Sequence, residues 1–146
     1  MTSNPLELDP ALHEQIKAHC AEGDKLAEAK RYEEAVVAYN KAWVIVPEPR
    51  NEWEASTWIL ASIGDACFLS GHNKSAREAL EYAMHCPGGL GNPFLHLRLG
   101  QVLFEQNEKD AAADELIRAY MGAGDEIFKS EDPKYLAFLS ARAKLG

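Results

Sequence analysis

The chain has 146 residues, 23 acidic against 15 basic side chains, a formal net charge of −8 and 47% hydrophobic residues. That is the composition of an ordinary soluble protein, at a length that predicts a single domain over 1–146. The acidic total disfavours nucleic acid and anionic membranes, because phosphate binding needs clustered positive charge, and it leaves basic proteins and peptides as natural partners.

The opening stretch MTSNPLELDPALHEQ has no basic region leading into an apolar core, so it does not read as a secretory signal. Asp9-Pro10 predicts a helix start, a cap followed by a first-turn proline, with the helix running to Ala29. Its partner is expected over 32–46, stopped by Pro47. A second pair follows over about 52–69 and 73–85, with Gly71 at the turn. The apolar run 58–69 is interrupted by Asp65 and is too short to span a bilayer. CPGGLGNP, residues 86–93, is a loop dense in breakers. A third pair is expected over 93–106 and 109–121, and Gly122 and Gly124 then mark a break. Residues 125–128 predict one short turn, and 133–144 a final helix with Tyr135, Leu136, Phe138 and Leu139 on its apolar side. Cys20, Cys67 and Cys86 cannot all pair and show no disulfide spacing, which fits reduced thiols in a cytoplasmic protein.

The helix pairs repeat. Gly23 precedes Ala35, Tyr39 and Ala42; Gly64 precedes Ala76, Leu80 and Ala83; Gly100 precedes Ala112, Leu116 and Ala119. The internal spacing is the same in each copy, whereas the connections between copies differ in length. A mid-helix glycine costs about 1 kcal/mol against alanine, so three at matched positions predict close helix contact. The alanines of each pair share one helical face and let a second helix approach closely. A bulky residue between them fills the gap.

On these residues the chain resembles the tetratricopeptide repeat (TPR) family over 11–121. Leu60, Ile63, Gly64, Ala76, Leu80 and Ala83 match best, followed by Leu99, Gly100, Leu103, Ala112, Leu116 and Ala119. Glu22 departs from the family by replacing a leucine, and Lys30 by replacing a turn glycine, so the first helix is expected to pack less tightly. The resemblance implies an all-α, right-handed superhelical solenoid. It would comprise three helix-turn-helix units (about 11–47, 50–87 and 93–121) and a capping helix at about 132–144, which an open solenoid needs to cover its last core.

In this family the first helix of each pair lines a concave groove. By register from the glycines, the resemblance places Lys17, Cys20, Asp24, Ala27 and Glu28 there from the first unit. From the second it places Trp58, Ala61, Asp65, Phe68 and Leu69, with Trp53 and Glu54 extending the surface. The third contributes Phe94, Leu97, Arg98, Gln101, Phe104 and Glu105. Trp58 and Phe94 share one register, which implies a joint role; Phe68 and Phe104 fit a groove role and a core role equally. Aromatic anchors beside carboxylates suit a partner with both apolar and basic side chains. Co-chaperone members clamp a terminal carboxylate with Lys, Arg and Asn. Here Cys20, Asp24, Ala61 and Asp65 occupy that stretch, with Arg98 the one base, and an acidic-tail client is disfavoured.

The sequence contains no Gly-rich phosphate loop, HExxH or nucleophile elbow, and no catalytic role or cofactor is expected. His19-Cys20, His85-Cys86, Cys67 and His96 lack the close paired spacing of a zinc site, so no metal is expected. Cys67 reads as a small buried hydrophobe, and His96 as a satisfied core histidine. The expected function is protein–protein interaction, with no small-molecule substrate. The stretch 58–121, including HCPGGLGNPFLHLRLGQ, also resembles small stand-alone bacterial repeat proteins, some of which are immunity partners of toxins. That resemblance implies an inhibitor of a basic toxin; the alternative is a chaperone or assembly adaptor.

Overall fold

The computed structural model describes residues 8–144; residues 1–7, which include the start of the N-terminal stretch, lie outside the described part. Every regular element in it is helical: α1 (Pro10–Glu28), α2 (Tyr32–Val44), α3 (Glu54–Leu69), α4 (Asn73–Ala83), α5 (Pro93–Glu105), α6 (Lys109–Ala123) and α7 (Pro133–Arg142). Short 3-10 turns at Arg50–Glu52 and Asp125–Phe128 precede α3 and follow α6. The chain divides into two compact units, 1–90 and 91–146. In the first, α1 packs on α2, α2 on α3 and α3 on α4; in the second, α5 packs on α6 and α6 on α7.

The repeated glycines are contact points. A Cβ built on Gly64 would lie 2.6 Å from Leu80 Cγ and Cδ2, and one on Gly100 would lie 2.7 Å from Leu116 Cγ and Cδ2. On Gly23 it would enter the Tyr39 ring. Each glycine thus receives the bulky residue of its own unit's second helix. The six paired alanines, Ala35, Ala42, Ala76, Ala83, Ala112 and Ala119, are all 0% exposed, which lets the helices close to that distance.

The turns within the three pairs also share one geometry. Lys30, Gly71 and Asn107 adopt φ values of 62°, 84° and 64°. The next amide in each turn, of Arg31, His72 or Glu108, reaches back to the carbonyl of Leu26, Cys67 or Leu103 at 2.8–2.9 Å. This is the left-handed helix stop that glycine adopts without steric cost. Only the second pair has glycine there. Lys30→Gly is therefore expected to raise stability by about 0.5–1 kcal/mol, seen as a higher urea midpoint at unchanged slope. Glu22 is exposed where the matching Ile63 and Leu99 are buried, as the departure from the family pattern predicts.

Several boundaries differ from the sequence expectation. α2 ends at Val44 rather than Val46, and α4 at Ala83 rather than His85. In both cases a proline lies within a few residues and turns the preceding residue away from helical geometry. α3 starts at Glu54 because Trp53 is extended (φ −104°, ψ 136°), its indole donating to the Pro47 carbonyl at 2.8 Å. α6 continues through Gly122 to Ala123 and ends at Gly124, where φ is 70°. Asp9 stands at the cap position of α1, but its side chain accepts no backbone bond there. Asn92 and Asp132 do cap their helices, α5 and α7, through side-chain oxygens.

Candidate functional site

In the first unit one expected binding residue, Asp24, is held by a tyrosine. Tyr39 rises from α2 into the space left by Gly23, and its hydroxyl donates to Asp24 Oδ1 on α1 at 2.7 Å. Burial is the main cause of the phenol's raised pKa; the hydrogen bond to Asp24 and the charges of Asp24, Cys20 and Asp65 add to it. Asp24 and Asp65, on separate helices, therefore act on one hydroxyl. Burial and the Asp24 charge push the Cys20 thiol up to about 11, keeping it protonated and a poor nucleophile.

Of the expected residues on α1 and α3, Asp24, Glu28 and Glu54 are exposed, and Ala27, Ala61, Asp65 and Phe68 are half-buried. Trp58 and Leu69 on α3 remain 37% and 44% exposed. His13 of α1 meets the Trp58 ring edge-on, with centroids 6.3 Å apart. Lys17 is exposed beside Glu14, and Cys20 is buried. Trp53, expected to extend the surface, is instead only 8% exposed, because its indole anchors the link between α2 and α3.

The second unit corrects more of the expectation. Arg98 and Gln101 are 7% and 0% exposed. Arg98 Nη1 donates to Glu131 Oε1 at 2.6 Å and to Gln101 Oε1 at 2.7 Å, and Gln101 Nε2 donates to the same Glu131 oxygen at 2.8 Å. The Arg98 guanidinium also lies over the half-buried Phe94 ring. Leu97 is core.

Phe104 packs edge-on against Tyr135 and Phe138 of α7, and Lys109 Nζ sits 3.2 Å from its ring centroid. Glu105 receives Lys134 Nζ at 2.9 Å and the Tyr135 hydroxyl at 2.7 Å. Burial works against the charge on Glu105, but these hydrogen bonds and the nearby lysines outweigh it and hold its carboxyl below the usual range. The chain's own C-terminal segment thus takes up Arg98, Gln101, Phe104 and Glu105. Trp58 belongs to the first unit and Phe94 to the second.

His96 is the satisfied core histidine its register predicts, 2% exposed, with Nε2 accepting from the Gly91 amide and Nδ1 at Glu115. Cys67 is buried, and all three cysteines are free thiols. Among the described residues no three His, Cys, Asp or Glu side chains are placed to hold a metal ion. No described helix is long and apolar enough to cross a membrane.

Two partners in this arrangement escape sequence reading. Tyr39 registers there only as a gap-filler; its signal is that the other two copies have leucine, so its hydroxyl is the one polar tip at that position. His13 lies upstream of the repeat pattern and carries no signal.

No family model matches the chain, and no curated protein matches it in sequence. Solved structures do match it. The type III secretion chaperone SycD of Yersinia enterocolitica, solved with a peptide of the translocator YopD, is similar with a TM-score of 0.69 at 14% identity, covering 94% of this chain and 95% of that one. The Sgt2 TPR domain of Aspergillus fumigatus is similar with a TM-score of 0.66 at 18% identity, covering 96% and 82%. The fold is an all-α, TPR-like array of helix pairs.

Proposed function

We propose that the protein is a non-catalytic interaction module whose first unit grips a protein segment bearing basic and apolar side chains. The observation that carries this reading is the pairing of charge with anchors on α1 and α3. Asp24 accepts from the Tyr39 hydroxyl and the Asp65 charge acts on the same phenol, while Trp58 and Leu69 stay exposed on α3. Exposed aromatic and aliphatic anchors beside carboxylates supply a desolvated contact and an electrostatic guide.

A chaperone or assembly-adaptor role is the form supported by the likeness to SycD, which was solved with a translocator peptide. Neutralisation of a basic bacterial toxin is the second form. It rests on the resemblance of 58–121 to stand-alone repeat proteins and on the net charge of −8. An acidic inhibitor would associate rapidly with such a toxin.

Affinity capture from the source organism identifies the partner, and association kinetics then test the surface. Asp24→Asn with Asp65→Asn keeps an acceptor for Tyr39 while removing both charges. It is expected to slow association about tenfold at low salt and to flatten the salt dependence. An unchanged rate would place the interface elsewhere. Rescue of growth from a co-expressed toxin would support neutralisation, whereas loss of partner yield on deletion would support the adaptor.

A further inference from the structure

Both nitrogens of the buried His96 ring are committed. The Gly91 amide donates to Nε2 at 2.9 Å, and Nδ1 lies 2.6 Å from Glu115 Oε1 on α6. A ring nitrogen that accepts from an N–H carries no proton, so the imidazole is neutral and its proton sits on Nδ1, donated to the Glu115 carboxylate. Gly91, with φ at 91°, immediately precedes Asn92, whose side chain accepts the Phe94 and Leu95 amides and caps α5.

We propose that His96 is a pH-sensitive latch on the entry to α5. Protonation at Nε2 turns its acceptor into a donor facing another donor, and the Gly91 amide is released. Nδ1–H keeps its bond to Glu115 in either state, so the change falls on Nε2 and Gly91. Several other charges of this unit are engaged elsewhere. On α5, Arg98 holds Glu131 and Glu105 holds Lys134. On α6, Asp110 pairs with Arg142, Arg118 pairs with Asp114, and Lys109 lies over Phe104. Beyond α6, Glu126 pairs with Lys129.

The test is NMR on the full chain over about pH 5 to 8, the range in which imidazole titrates. The imidazole nitrogen shifts report protonation, and the exchange protection of the Gly91 amide, corrected for intrinsic rate, reports the latch. Protection is expected to fall about tenfold, the worth of one such hydrogen bond, with the same midpoint as the ring. Glu115→Gln keeps an acceptor for Nδ1–H, and Gly91 protection should still fall in step with the ring. The latch is overturned if Gly91 stays protected through the titration, or if the ring stays neutral throughout. Loss of helical circular dichroism in step with Gly91 would equally refute it, by showing general unfolding.

Discussion

Gly100→Ala is expected to destabilise the protein by about 2 kcal/mol, although helix propensity alone would make it stabilising by about 1 kcal/mol. The added methyl would lie 2.7 Å from Leu116 Cγ and Cδ2 and 3.1 Å from the Leu116 backbone nitrogen. A side chain can rotate away, but a backbone nitrogen moves only if α6 moves. For a chain of this size the loss should appear as a fall in melting temperature of about 4–8 °C.

A second substitution identifies the cause. Leu116 is 0% exposed, so Leu116→Ala alone should cost about 2–5 kcal/mol. In the double variant the new methyl enters space the leucine has left, and the combined loss should fall short of the sum by about 1–2 kcal/mol. A neutral or stabilising Gly100→Ala would mean that α5 and α6 are not in close contact at this point.

The same contact explains why so much of the fold is legible in the sequence. A glycine in mid-helix and a bulky residue sixteen positions later are two halves of one packing event. The event recurs in each pair: Gly23 with Tyr39, Gly64 with Leu80, and Gly100 with Leu116. The helix ends are less legible because they depend on the residues beyond them. Val46 and His85 satisfy the helical period, yet Pro47 and Pro87 unwind the chain before those residues.

The candidate site divides in the same way. On α1 and α3, register points to Asp24, which the Tyr39 hydroxyl holds, and to Asp65, whose charge acts on the same phenol. On α5 the same register points to Arg98, Gln101, Phe104 and Glu105, which residues 131–138 cover instead. Nothing periodic marks Glu131. It stands in a short connection, and only tertiary folding brings it to Arg98, 33 positions earlier.

That connection is the site of the second large effect: Glu131→Ala is expected to cost about 3 kcal/mol, the low end for removing one partner of a buried ion pair. The side chains of Arg98 and Glu131 are 9% and 15% exposed, so water replaces the lost carboxylate poorly. One oxygen, Glu131 Oε1, accepts from both Arg98 and Gln101, and its loss affects two buried donors at once. Glu131→Gln keeps an acceptor oxygen but not the charge, and should lose about half as much. Salt separates this pair from its neighbours. The more exposed contact of Lys134 with Glu105 should weaken as ionic strength rises, whereas the cost of Glu131→Ala should hardly change. Urea unfolding at low and high salt measures both. A loss below about 0.5 kcal/mol, the scale of an ordinary surface change, would mean that Arg98 and Gln101 do not depend on Glu131.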